Sequence, residues 1–130
     1  MYHYTALVTV LTCIAYFYAS FRVGKARTRY GVKAPATTGD PDFERIFRAH
    51  MNMLEWMPIF LPALWLFAIY VSDAIAAVLG LVWIVGRILY MLAYAQAPGK
   101  RRPGFAIQAV AAFALLIGAL IAILSRIVHG

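Results

Sequence analysis

The residues of this chain best suited to chemistry lie in one short stretch, FERIFRAHMNMLEWMP, residues 43–58. Arg45, Arg48, Asn52 and Glu55 recur there at intervals of three and four. At 100° per residue they fall within about 80° of one another, a single polar stripe on a helix. Arg48 and Glu55 are separated by roughly 10 Å of helical rise. A guanidinium presents a planar fork to a carboxylate, an amide both donates and accepts, and a carboxylate accepts from an ammonium. Together they suit a zwitterionic ligand such as a small peptide. The competing reading makes Arg48 and Glu55 an interhelical ion pair that fixes packing.

What surrounds the stripe makes it unusual. Of the 130 residues, 64% are apolar or aromatic and the mean hydropathy is +0.77, well beyond the roughly half expected of a soluble domain. Four apolar runs, near residues 4–23, 53–71, 74–97 and 105–128, each approach or exceed the ~20 residues that cross ~30 Å of hydrocarbon as a helix. None alternates as a barrel strand does. The expected fold is therefore all-α: one integral membrane domain spanning 1–130, an up-down four-helix bundle with helices about 3–30, 43–71, 74–97 and 103–128. A carboxylate inside such a helix costs on the order of 2.5–3.5 kcal/mol unless partnered. Glu55 is accordingly expected to face protein or an aqueous cleft.

The net charge of +7 does not point to nucleic acid, because the basic residues border apolar segments. Arg22, Lys25, Arg27, Arg29, Lys33, Arg45 and Arg48 lie in or near the first connection, and Lys100, Arg101 and Arg102 lie in the third. These ten of the twelve cations belong to one face of the membrane. The positive-inside rule then puts connections one and three in the cytoplasm and both termini outside. The first run has no Lys or Arg before it and several after it, the reverse of a cleavable signal. The basic third connection, residues 97–104, reads as a turn whose charges set topology and meet lipid headgroups. Cys13 is alone, so no intrachain disulfide forms. His3, His50 and His129 show no metal-ligand spacing, and no metal is expected.

Arg87, Tyr90 and Tyr94, at i, i+3 and i+7, share a face of the third helix, and Trp83 extends it. Read alone, that face suggests interfacial anchoring or packing.

These motifs together resemble the MAPEG family, membrane-associated proteins of eicosanoid and glutathione metabolism. Its signature, F-E-R-x-x-R-A-x-x-N-x-x-E-x-x-P, is filled by Phe43, Glu44, Arg45, Arg48, Ala49, Asn52, Glu55 and Pro58. Thr37, Thr38 and Gly39, with Ala93, Tyr94 and Ala95, look like the leukotriene C synthase branch. The resemblance implies a homotrimer with glutathione bound between neighbouring subunits near the cytoplasmic face. It implies that Arg48, Asn52 and Glu55 hold the glutathione backbone, with His50 where members carry Gln or His. Arg27 would meet a glutathione carboxylate from the end of helix one, and Tyr90 and Tyr94 would come from helix three. Arg101, seven residues after Tyr94, would face the sulfur. Three departures stand out. Trp56 replaces a Tyr of that branch and removes a hydroxyl; Arg101 is flanked by Lys100 and Arg102; and an arginine pair becomes Arg27 and Arg29 with Thr28 between.

The activity implied is that of a membrane glutathione S-transferase, with glutathione-dependent peroxidase chemistry available to the same thiolate. Its partners would be glutathione, a lipophilic electrophile and membrane lipid. Two rivals remain at this level. One is a small proton-coupled exporter of lipophilic cations using Glu55, against which Arg48 argues because a cation site gains nothing from a guanidinium. The other is a noncatalytic lipid-binding member of the same family.

Overall fold

The computed structural model describes residues 1–130. Four helices follow one another: α1 (His3–Tyr30), α2 (Pro41–Tyr70), α3 (Asp73–Gln96) and α4 (Arg102–His129), with a 3-10 turn, Pro98–Arg101, between the last two. All four are long and apolar enough to cross a membrane. Large side chains such as Phe17, Val110, Phe113 and Ile121 stand mostly exposed on the outer faces, as a lipid-facing surface requires and a water-facing one does not. The expectation of an all-α membrane four-helix bundle is met.

Local chemistry sets the helix ends. Gly31 ends α1 in the left-handed region at φ +69°, the conformation that glycine adopts at least cost. Asp40 caps α2 by accepting from the Asp42 amide at 2.8 Å, and Pro41 follows at the first helical position. That cap is why α2 starts at Pro41, ahead of the expected residue 43. Ser72 caps α3 in the same way. Asp73 reaches across to accept from the Tyr4 and Thr5 amides, so one carboxylate caps the start of α1 from α3. Pro58 and Pro62 lie inside α2, where neighbouring helices make the lost backbone bonds tolerable.

The core draws on all four helices, with Val8 and Ala19 of α1 packed into it and most of the large side chains coming from α2, α3 and α4. Phe60 and Trp83, both fully buried, stack face to face at 3.9 Å. Leu64 and Leu115 complete the layer, and buried alanines such as Ala63, Ala76, Ala111 and Ala112 let the helix axes approach. Trp83 is therefore a core residue, and of the two readings its face allowed, interfacial anchoring or packing, the structure shows packing.

The third connection is short: a 3-10 turn over Pro98–Arg101 runs directly into α4, which starts at Arg102, one residue ahead of the expected 103. Gly104 thus sits within α4, pressed against α3, and an added methyl would collide with the Tyr90 amide and the Gly86 carbonyl. A methyl at Gly86 would in turn meet the Gln108 amide at 2.7 Å. These two glycines bring α3 and α4 into backbone contact. Gly104→Ala is expected to destabilise the bundle by about 1–3 kcal/mol. Gly99→Ala, whose methyl would meet nothing within 4 Å, is expected to stay within about 0.5 kcal/mol. Denaturation midpoints in mixed detergent compare the two.

Candidate functional site

At the basic end of the bundle, α2, α3, the 3-10 turn and α4 enclose a cleft of about 440 Å³. Arg48 and Asn52 line it from α2, and Tyr90 and Tyr94 from α3. Arg101 closes it from the 3-10 turn, and Arg102 and Phe105 from α4. The lining holds three guanidiniums and no carboxylate, a charge balance that favours anionic groups over cationic ones.

Behind two of the lining residues, Asn52 and Tyr90, lies a buried cation. Arg87 is 2% exposed. Its Nη1 donates to Asn52 Oδ1 at 2.8 Å, and its Nη2 donates to the Ala49 carbonyl at 3.4 Å. The guanidinium lies 4.6 Å from the Tyr90 ring centroid. Above it, Tyr90 and Tyr94 meet edge to face at 5.4 Å, and Arg101 sits over the Tyr94 ring at 5.1 Å. A chain of contacts therefore runs from the core to the mouth of the cleft: Asn52, Arg87, Tyr90, Tyr94, Arg101. Because Arg87 occupies the oxygen of Asn52, the amide NH2 of Asn52 is the part left to address a ligand.

Arg48 and Glu55 approach to 3.8 Å with their side chains 56% and 54% exposed. Such a long, hydrated pair holds little energy and is readily redirected. It does not brace a dry interior. Glu55 is beside the cleft without lining it, and Arg45 is drawn away to pair with Asp42.

Trp56 packs edge-on against Phe105 at 5.7 Å. Beyond it opens a second cleft of about 510 Å³, wholly apolar, lined by Trp56, Ile59, Ala109, Val110, Ala112, Phe113 and Leu116. Trp56 and Phe105 form the wall between the two.

Of the expected residues, Arg48, Asn52, Tyr90, Tyr94 and Arg101 converge on one cleft, flanked by Glu55 and Trp56. Two stand apart. Arg27 stacks over Phe43 and donates to the Ala36 carbonyl at 2.7 Å. His50 faces α1, hydrogen-bonded to Ser20 Oγ at 2.9 Å and stacked on Tyr16 at 4.9 Å. Neither lines the cleft of its own chain. The sequence reading named Arg102 only as a flank of Arg101 and gave Phe105 and Arg87 no role at the site. Arg102 and Phe105 lie on the first turn of α4 at i, i+3, and that spacing was the available signal.

The fold is that of an integral multi-pass membrane protein, with a basic cleft at one end and an apolar recess beside it. Comparison with known proteins gives the lineage. The MAPEG family profile matches residues 5–129. An uncharacterized protein of Synechocystis sp., sll1147, is 51% identical over 119 residues, covering 92% of this chain and 87% of that one. Human microsomal glutathione S-transferase 2 is 44% identical over 116 residues, 88% of this chain and 79% of its own length. Leukotriene C4 synthase of Cavia porcellus is 36% identical over 121 residues, 93% and 81% respectively. The chain belongs to the MAPEG family.

The Arg87–Asn52 contact makes a structural prediction. Asn52→Leu leaves a buried guanidinium without its best acceptor and is expected to cost about 2–3 kcal/mol of stability. Asn52→Asp restores an acceptor and is expected to keep most of it. Thermal midpoints of the purified variants measure both.

Proposed function

We propose that the chain is a membrane glutathione S-transferase that joins the glutathione sulfur to lipophilic electrophiles drawn from the bilayer. The observation that carries this reading is the meeting of Arg48, Asn52, Tyr90, Tyr94 and Arg101 in one cleft, beside an apolar recess. The names of the microsomal glutathione S-transferase 2 relatives support it. A water-soluble anionic peptide and an apolar substrate need two adjoining environments, and the Trp56–Phe105 wall divides two such environments.

In this reading the exposed Arg48 and Glu55 exchange their weak contact for a glutathione carboxylate and ammonium, and the Asn52 amide meets the peptide backbone. Arg101 stabilises the thiolate. A free alkyl thiol titrates near 8.5, and lowering that value by two units requires about 2.7 kcal/mol of preferential interaction with the anion. The sulfur lone pair then forms a C–S bond at the electrophilic carbon as the leaving group departs or an epoxide C–O bond opens. With a hydroperoxide, the same thiolate attacks the terminal oxygen, the O–O bond breaks and the alkoxide leaves as the alcohol. A second glutathione then displaces water from the sulfenic acid to give the disulfide.

Arg27 and His50 complete the site from a neighbouring subunit in a homotrimer, in keeping with their position away from the cleft of their own chain. Connections one and three face the cytoplasm, where glutathione is dissolved. A cation exporter centred on Glu55 is disfavoured by the guanidinium of Arg48 at 3.8 Å.

Conjugation of glutathione to a chlorodinitrobenzene-type electrophile by purified protein tests the reading. Arg101→Ala is expected to lower kcat on the order of 10–100-fold with little change in affinity, its rate recovering as pH rises toward the free-thiol value. Glu55→Ala is expected to raise the glutathione Kd about tenfold and leave kcat within a few-fold. Wild-type protein that neither binds nor conjugates glutathione would overturn the proposal. The intersubunit arrangement has its own test. Co-assembled Arg27→Ala and Arg101→Ala chains should regain about a quarter of the sites by random mixing, whereas sites confined to single chains would regain none.

A further inference from the structure

The end of α1 carries a second basic cavity, of about 280 Å³, that the transferase reading leaves unused. Tyr18, Phe21, Arg22, Lys25 and Arg29 line it from α1, and Ile46 from α2. Tyr18, Arg22, Lys25 and Arg29 follow i, i+4, i+7, i+11 and fall within about 60° of one another, whereas Arg27 points roughly 180° away. The cavity is thus distinct from the glutathione residues. Its lining holds three cations and no carboxylate. Arg22 Nη1 donates to the Met91 carbonyl of α3 at 3.3 Å, which fixes that guanidinium at the back. Lys25 lies 5.6 Å over the Phe21 ring and Arg29 lies 5.3 Å over Tyr30, held by aromatic faces and not by counter-charges. Three like charges gathered without an acid call for an anionic occupant.

What adjoins the cavity tells which kind. On the same side of α1, Phe21, Ile14 and Leu7 form an exposed apolar ridge, at intervals of seven and within about 40° of one another. It runs about 21 Å along the helix, more than the ~15 Å depth of one leaflet. A free inorganic anion has no use for such a ridge, whereas an amphiphile does. We infer that this cavity binds the phosphate of an anionic phospholipid, with an acyl chain along the Phe21–Ile14–Leu7 ridge. Lys25 and Arg29 meet the phosphate from the exposed side, and Arg22 meets it from the back.

The test uses the full chain, freed of lipid in detergent, titrated with phosphatidylglycerol or with phosphatidylcholine of the same acyl chains. Bound lipid is read by native mass spectrometry. Each basic residue at an anionic headgroup contributes about a fivefold factor, so the double variant K25Q/R29Q is expected to bind phosphatidylglycerol about 25-fold more weakly, with phosphatidylcholine binding unchanged. Lys33→Gln, outside the cavity, should stay within about twofold. Should the double variant fail to fold by circular dichroism, Lys25→Gln alone decides, with an expected loss of about fivefold. Equal affinity for the two lipids, full retention of phosphatidylglycerol by the substituted protein, or an equal loss in Lys33→Gln would each overturn the site. Displacement of phosphatidylglycerol by millimolar inorganic phosphate would replace the lipid by a simple ion. None of these readouts depends on glutathione, so the outcome is separable from that of the transferase assay.

Discussion

A guanidinium enclosed between helices with no carboxylate against it has to be satisfied by neutral groups, and Arg87 governs the basic end of this bundle for that reason. Its charge is met by the Asn52 amide oxygen, the Ala49 carbonyl and the Tyr90 ring face. Each contact has a geometric consequence. Asn52 has its amide oxygen engaged by Arg87, which leaves its amino group unspent. Tyr90 is held against α4, Tyr94 against Tyr90, and Arg101 over Tyr94. The arginine whose charge bears on the proposed sulfur position thus owes its placement to a second arginine deep in the protein. Buried ionic groups are poor evidence of stability; here the arrangement is better understood as a device for orientation.

The close approach of α3 and α4 makes that chain of contacts possible. Gly86 and Gly104 remove the side chains that would hold the two backbones apart, and small residues at such crossings are how membrane helices gain packing where no hydrophobic drive exists between them. Shortening the distance between α3 and α4 brings the Phe105 ring against Tyr90, sets Arg102 at the edge of the same cleft and turns a helix–helix junction into a walled cleft. On the far side of Trp56 and Phe105 the wall faces an apolar recess. The polarity boundary between the two is one aromatic layer thick, a fitting scale for chemistry that joins a water-soluble sulfur to an apolar carbon.

Much of the site was legible before any coordinates. A polar stripe inside an apolar run is expensive in lipid, so Arg48, Asn52 and Glu55 stood out by cost alone. The two tyrosines emerged from helical spacing, and Arg101 from the family resemblance alone. Less visible was how these groups divide. Arg45 shares the stripe yet pairs with Asp42, and Trp83 shares a face with Tyr90 yet disappears into a stack with Phe60. Helical periodicity gives an angle around one axis; it does not say which neighbour fills that angle. Arg102 and Phe105 had no assigned role because a basic and an aromatic residue at the start of a membrane helix read as interfacial anchors, and Pro103 fits there since a missing amide proton costs nothing in the first turn.

By itself, then, the sequence determined four membrane-spanning helices, their basic end and the identity of a charged stripe, because lipid imposes length and hydropathy on each segment independently of the others. The tertiary structure alone decided which charges would be spent on the protein's own framework and which would be left for a ligand. Arg87 went to the framework and Arg48 and Arg101 to the cleft, while Arg27 and His50 were turned toward a different face of the bundle. That division follows from the packing of α2, α3 and α4 against one another, a relation between segments far apart in the chain that no local pattern records.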